Sequence, residues 1–234
     1  MSAPLDPSML LKAYAAGVFP MADTREAAEV YWVEPDRRGV LPLDGFLLSK
    51  SMAKVLKSGR FETTADAAFA DVVKLCAEAA EDRPVTWINS QIEVAVGQLH
   101  AAGHAHSIET WEGGQLVGGL YGISLGGAFF GESMFSRATN ASKVALAHLI
   151  ARLRVGGYQL LDCQFITPHL ATMGAIEIGK ADYLAQLNAA LPISGDYSVL
   201  DSSYAAAASS PPCTIVVSGP TSGYFIAQAL VQTS

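Results

Sequence analysis

Three alternating runs joined by double-glycine turns constrain this chain more than any other feature of its sequence. Residues 106–111, 115–124 and 128–135 read as strands, with Gly113-Gly114 and Gly126-Gly127 between them. Glycine takes the positive φ that tight hairpin turns need, so the stretch predicts an antiparallel meander. In its third strand, period two puts Phe130, Glu132 and Met134 on one face, and Phe129, Gly131, Ser133 and Phe135 on the other. Both faces are largely apolar, which predicts a central strand. A carboxylate there needs a partner or a role. Arg137 or a backbone amide would serve as a structural partner, and a bound substrate as a functional one.

The rest of the chain wraps this meander with helices. Residues 7–17 read as a helix with Pro7 near its start and Gly17 after its end. Short strands follow at 30–33 and 39–41, then a helix at 49–58 with Ser49 as N-cap and Gly59 beyond it. Helices are expected at 65–80 and 89–102 before the meander. A helix over 140–155, a strand over 158–165 and short helices at 169–173 and 181–190 come after it. Residues 202–212 are Ser, Ala and Pro with one Tyr and read as a linker; 213–218 reads as a short strand and 224–231 as a last helix. The order predicts an α+β fold. A small N-terminal α/β unit, 1–62, packs on a larger unit, 63–193, whose layout resembles the Gcn5-related N-acetyltransferase fold. A tail, 194–234, completes the chain. A unit of about 60 residues needs that packing to be stable.

Half of the 234 residues are apolar, which supplies a core and points to a globular enzyme. No apolar run reaches the roughly 18 residues of a membrane span, and no basic-then-apolar leader is seen. Cys76, Cys163 and Cys213 are scattered and odd in number, so neither a disulfide framework nor a CxxC metal site is expected. A reducing cytoplasm is the expected home. The net charge of −7 argues against a nucleic-acid partner, but its distribution does not. Residues 61–130 carry nine acids and two bases, which accounts for the whole imbalance. Two stretches are locally basic: Lys50, Lys54, Lys57 and Arg60 in one, Arg137, Lys143, Arg152 and Arg154 in the other. These are either solvated helix faces or grips for a phosphate backbone.

Candidate chemistry gathers at two places, Glu132 and Asp162-Cys163-Gln164. On a strand, residues 162 and 164 share a face, and a carboxylate beside an amide can orient a nucleophile and hold its proton. The alternative is that both end the strand and bond to loops. Cys163 points the other way and reads as core. His104 and His106 have chelating spacing but no third ligand nearby, so no metal is expected. Ser133, Ser136 and His169 lack a nucleophile elbow, and no P-loop or GxGxxG is present.

Several segments in order resemble the leucyl/phenylalanyl-tRNA protein transferase family. They include Leu10-Leu11-Lys12-Ala13-Tyr14, Pro35-Asp36-Arg37-Arg38, Thr86-Trp87-Ile88 and Gly103-His104-Ala105-His106-Ser107-Ile108-Glu109. Gly131-Glu132-Ser133-Met134-Phe135-Ser136-Arg137, Asp162-Cys163-Gln164 and Asp182-Tyr183-Leu184 continue the series, and coverage runs from about 6 to 190. The resemblance implies transfer of Leu or Phe, less well Met, from aminoacyl-tRNA to proteins that begin with Arg or Lys, which marks them for N-degron degradation. It implies no cofactor or metal and a monomer. On that resemblance Asp162, with Gln164, is expected to orient the attacking amine and take its proton, directly or by relay, and Glu132 to hold a polar group of the substrate, such as the acceptor's cationic end. The donor side-chain pocket is expected to be walled by Trp87, Leu120, Phe129, Gly131, Met134, Leu149, Leu153 and Leu161. Trp32 is expected to stack on the terminal adenosine. Lys50, Lys54, Lys57, Arg60, Arg137 and Lys143 are expected to grip tRNA phosphates, with the basic stretches 50–60 and 137–154 as the two grips.

The chain departs from the family pattern at Val96, often Tyr, at Leu149 and Leu153, where aromatic residues are expected, and at Pro20-Met21, usually Pro-Trp. A wider or differently shaped pocket is the expected consequence. An acyl-CoA-dependent acetyltransferase would need a pyrophosphate loop before the long helix, where Arg137-Ala138-Thr139-Asn140 stands instead. A non-catalytic tRNA- or peptide-binding module would not be expected to keep Glu132, Asp162 and Gln164 together.

Overall fold

The structure, a computed structural model, describes residues 4–79, 85–201 and 223–232. Local signals set most element boundaries. Helix α1 (Pro7–Ala15) starts where the Asp6 carboxylate accepts from the Ser8 N–H. In α2 (Lys50–Lys57) the Ser49 hydroxyl accepts from the Met52 N–H at 3.1 Å. Helix α4 (Ser90–Ala101) is capped in the same way by Asn89. Strands β1 (Phe19–Met21) and β2 (Tyr31–Val33) form a small hairpin of their own.

The helix expected over 65–80 starts later: α3 (Phe69–Ala77) begins only after the bend at Asp66, whose φ is +58°. Just before it stands a strand that was not expected, β4 (Glu62–Ala65). Its β-branched Thr63 and Thr64 favour the edge of a sheet, and β5 offers them a ladder. Strand β9 (Ile176–Gly179) was not expected either. It exists because β3 (Arg37–Val40) offers it a partner edge.

The meander forms as predicted, as β5 (Ala105–Glu112), β6 (Gln115–Leu125) and β7 (Ala128–Ser136). The large sheet has seven strands in the order β4-β5-β6-β7-β8-β3-β9, with β8 spanning Leu160–Gln164. All neighbours run antiparallel except β7 and β8. Helix α5 (Ala141–Val155) crosses one face and is buried along most of its length. With α2, α6 (Pro168–Ala171) and α8 (Gly223–Gln232) it encloses one half of the core. Helices α1, α3, α4 and α7 (Lys180–Ala190) close the other face. This mixed α/β layering matches the expected α+β class. The tail readings at 202–212 and 213–218 lie outside the described residues, while the expected last helix is α8.

Two irregularities position the site. Opposite β6, Tyr121 pairs with Ser133 and Gly122 with Gly131, so Glu132 is an extra, bulged residue. A bulge re-aims side chains and shifts their parity. Before it, Phe129 packs toward α5 and Phe130 toward α1; after it, Met134 packs toward α5 and Phe135 toward α3. The expected grouping of Phe130, Glu132 and Met134 on one face is therefore corrected. Gly122 makes room for the bulge, since a Cβ there would meet the Phe129 ring at 2.3 Å and the Phe130 carbonyl at 2.4 Å. The second irregularity lies in β8. Gly39 pairs with Gln164 and Val40 with Asp162, which leaves Cys163 extra, and Gln164 has a φ of +55°.

Candidate active site

Strands β7 and β8 pair only from Ala128/Leu160 to Phe130/Asp162, and both continue beyond. Past the last pair no ladder holds them, and side chains bridge the gap. Gln164 Nε2 donates to Glu132 Oε1 at 2.9 Å across it. The Tyr14 hydroxyl from α1 donates to the same carboxylate. Glu132 is 9% exposed and lines a cavity of about 870 Å³ together with Gln164. Burial pushes the Glu132 carboxyl up to about 8, and the nearby Asp162 charge adds to the rise, against the hydrogen bond from Tyr14 and the charge of Arg38.

Asp162 does not line that cavity. It is fully buried, and its two oxygens are occupied by protein groups. Arg38 Nε lies 2.9 and 3.1 Å from the two oxygens and Nη2 lies 2.7 Å from Oδ2. The Tyr183 hydroxyl donates to Oδ2 at 2.7 Å, and the Gln164 backbone N–H to Oδ1 at 2.8 Å. Arg38 also donates to the Gly17 carbonyl, and its guanidinium sits between the Phe19 and Tyr183 rings at 4.5 Å from each centroid. A carboxylate so enclosed cannot meet a substrate amine. Its visible action is on Gln164, whose backbone it holds in the left-handed region. Burial and full occupancy put Asp162 behind the wall, so of the two expected routes for the amine's proton, direct or by relay, the direct one is closed to it.

Of the expected pocket walls, Trp87, Leu120, Gly131, Met134, Leu149 and Leu161 line the cavity. Phe129 and Leu153 do not, because both are fully buried in the core behind it. Among the departures from the family pattern, Met21 and Leu149 touch the cavity, while Val96 is core. Cys163 is half-buried: it packs against the core as expected and also reaches the cavity wall. Burial pushes its thiol far up, so it stays protonated and is a poor nucleophile. Trp32 is 40% exposed on β2 and lies off the cavity wall, although Phe19 and Met21 of the same hairpin are on it.

Arg137 and Lys143 also line the cavity. Lys50, Lys54 and Lys57 stand exposed on α2, away from it. Arg60 is exposed and paired with Glu112 at 2.7 Å. The stretch 137–154 does not act as one basic face. Arg152 turns inward to the Tyr197 carbonyl and Asp201, and Arg154 to the Leu43 and Leu230 carbonyls. The two leave α5 on opposite sides, about 200° apart by the helical period, Arg152 buried and Arg154 half-buried, and each is taken up by neighbouring chain at the end of the helix away from the cavity. His106 bonds Asp66 at 2.7 Å and stacks on Tyr197, and among the described residues no group of three His, Cys, Asp or Glu is placed to hold a metal.

Sequence reasoning missed the roles of Arg38, Tyr183 and Tyr14, and the presence of Glu78, Phe165 and His169 on the wall. A signal existed for Arg38. A buried aspartate on a central strand requires a cation, and Arg38 sits beside a predicted strand.

Sequence comparisons with known proteins agree on one family. Residues 40–188 match the sequence profile described as leucyl/phenylalanyl-tRNA protein transferase, and residues 3–36 match the profile of its N-terminal domain. The leucyl/phenylalanyl-tRNA protein transferase of Rhizorhabdus wittichii is 56% identical, over 98% of this chain and 99% of its own length. That of Zymomonas mobilis is 63% identical, over 80% of this chain and 70% of its own length. Among solved structures, FemX gives a TM-score of 0.46 at 13% identity, covering 73% of this chain and 66% of that one.

Proposed function

The chain belongs to the leucyl/phenylalanyl-tRNA protein transferase family, and from that premise we propose that it transfers Leu or Phe, less well Met, from aminoacyl-tRNA to the N-terminal Arg or Lys of proteins in the cytoplasm, acting as a monomer and marking them for N-degron degradation. The observation that carries the reading is the Gln164–Glu132 contact of 2.9 Å at the inner end of a largely apolar cavity. The donor side chain occupies the part walled by Trp87, Leu120, Met134, Leu149 and Leu161. The acceptor's α-amine meets Glu132 and Gln164.

The reaction is aminolysis of an ester. The amine nitrogen attacks the ester carbonyl carbon, and the C–O bond to the ribose breaks. The α-ammonium first gives one proton to a base, and the neutral amine gives up a second as the C–N bond forms, which the leaving ribose oxygen takes. Glu132 suits the first transfer: its carboxyl titrates at about 8 because of burial, close to the roughly 7.7–8.0 of an α-ammonium, so the exchange is almost thermoneutral. Gln164 orients the amine and the carboxylate together. Asp162 is a positioning residue that acts through the Gln164 backbone. Most of the acceleration then comes from holding ester and amine in contact.

Phosphates of the acceptor stem are gripped by Lys50, Lys54, Lys57 and Arg60 from α2 and its end, and by Arg137 and Lys143 at the cavity. Such contacts position tRNA without reading its sequence. Trp32 stacks on the terminal adenosine. Residues 63–193 are the acetyltransferase-like unit, a reading supported by the meander, the crossing helix α5 and the parallel return of β8. Residues 1–62 form a unit that depends on it, as the placement of β3 inside the large sheet suggests, and 194–234 is a tail. Among the described residues no helix is long and apolar enough to cross a membrane.

The test is mass addition. The protein is mixed with Leu-tRNA or Phe-tRNA and a peptide that begins with Arg, and the product is read by mass spectrometry. Absence of transfer while the tRNA stays charged overturns the proposal.

A further inference from the structure

The acceptor proposed above carries two cations, its α-ammonium and the end of its Arg or Lys side chain. Among the described residues the cavity wall carries two carboxylates, Glu132 and Glu78. They differ in kind. Glu132 is buried and already receives Tyr14 and Gln164. Glu78 stands at the rim, just past the end of α3, with its side chain 48% exposed. A guanidinium keeps its charge under all conditions met in a cell and is stabilised by a carboxylate it can reach at the solvated rim.

Glu78 already holds such a group. Its Oε2 lies 2.7 Å from Arg137 Nη2, and Arg137 stands just past β7 on the same cavity wall. The pair thus joins α3 to the β7–α5 connection across the rim. The resident guanidinium shows that the Glu78 carboxylate accepts a guanidinium within reach of the cavity. Arg137 has a second partner available when tRNA arrives. Phosphate takes arginine in paired, charge-assisted hydrogen bonds, and Lys143 on the same wall strengthens the local attraction for a polyanion.

We propose that Glu78 is the counter-ion for the acceptor's cationic side chain, and that Arg137 occupies it until a tRNA phosphate claims the guanidinium. The inference rests on the transferase reading above. It makes acceptor binding follow tRNA binding: in the free protein the acceptor competes with Arg137, and with tRNA in place it does not. The preference for Arg or Lys is then set at the rim, while Glu132 and Gln164 handle the amine.

The experiment compares peptides that differ only in their first residue, Arg or its neutral analogue citrulline, with Phe-tRNA as donor. For Glu78→Gln, KM for the Arg peptide rises about tenfold while KM for the citrulline peptide and kcat at saturation stay within about twofold. Glu78→Asp recovers part of the difference. If Glu78→Gln keeps the wild-type ratio of Arg to citrulline, the assignment of Glu78 is overturned with the transferase reading intact. If the wild-type protein modifies neither peptide, that reading falls and takes this inference with it. Arg137→Ala supplies a second readout, the affinity for the Arg peptide without tRNA, measured by calorimetry. It tightens if Arg137 competes for Glu78; an unchanged or weaker affinity overturns the exchange.

Discussion

Replacing Glu132 by glutamine removes one titrating carboxyl and little else. The substituted amide keeps a carbonyl oxygen for the Gln164 side chain and the Tyr14 hydroxyl. In the native protein burial raises this carboxyl from 4.5 to about 8, so between those pH values the folded state holds a proton that the unfolded chain has released. Native stability therefore falls as pH rises through that window, by about 1.4 kcal/mol for each pH unit. The full cost, reached above pH 8, is about 5 kcal/mol, and at pH 7 it is about 3 kcal/mol, both to order of magnitude. Glu132→Gln escapes that cost. Its stability advantage over the native protein should be small at pH 5, near 3 kcal/mol at pH 7, and level above pH 8. Urea unfolding at pH 5, 7 and 9 measures it. The same variant should lose about a hundredfold or more in transfer rate, the size of general-base assistance. A stability difference that stays flat from pH 5 to 9 would refute the argument, because it would mean that Glu132 ionises in the folded state as easily as in water.

Three further outcomes are expected. Asp162→Ala strands Arg38, and the uncompensated buried charge costs about 3–5 kcal/mol; transfer falls while tRNA affinity in filter binding persists, and a matching loss of tRNA affinity would reduce Asp162 to a fold determinant. Lys54→Ala with Lys57→Ala flattens the log–log salt dependence of tRNA binding by about 1–2, and an unchanged slope removes α2 from the interface. Leu149→Phe narrows the cavity from α5 and lowers kcat/KM for Phe donors relative to Leu donors by about tenfold; a constant ratio places Leu149 outside the donor pocket.

Local chemistry made much of this protein legible in its sequence. The double glycines announced the meander, and Ser49 with Gly59 marked the ends of α2. Glu132, Asp162 and Gln164 stood out because polar groups on apolar strands need an explanation. Three matters were decided by tertiary structure alone. The bulge at Glu132 reversed the parity of β7, since a strand's period holds only while its neighbour keeps register. Asp162 met Arg38 across 124 residues of chain because β3 entered the sheet beside β8, and no local pattern encodes that adjacency. Arg152 and Arg154 looked like part of a basic surface and instead bond backbone carbonyls of neighbouring chain, Arg152 buried and Arg154 half-buried. In each case the residue type set what the group needed, and long-range packing chose the partner that satisfied it. For Asp162 the need was a cation, and meeting it with Arg38 left Glu132 as the buried carboxylate that faces the cavity.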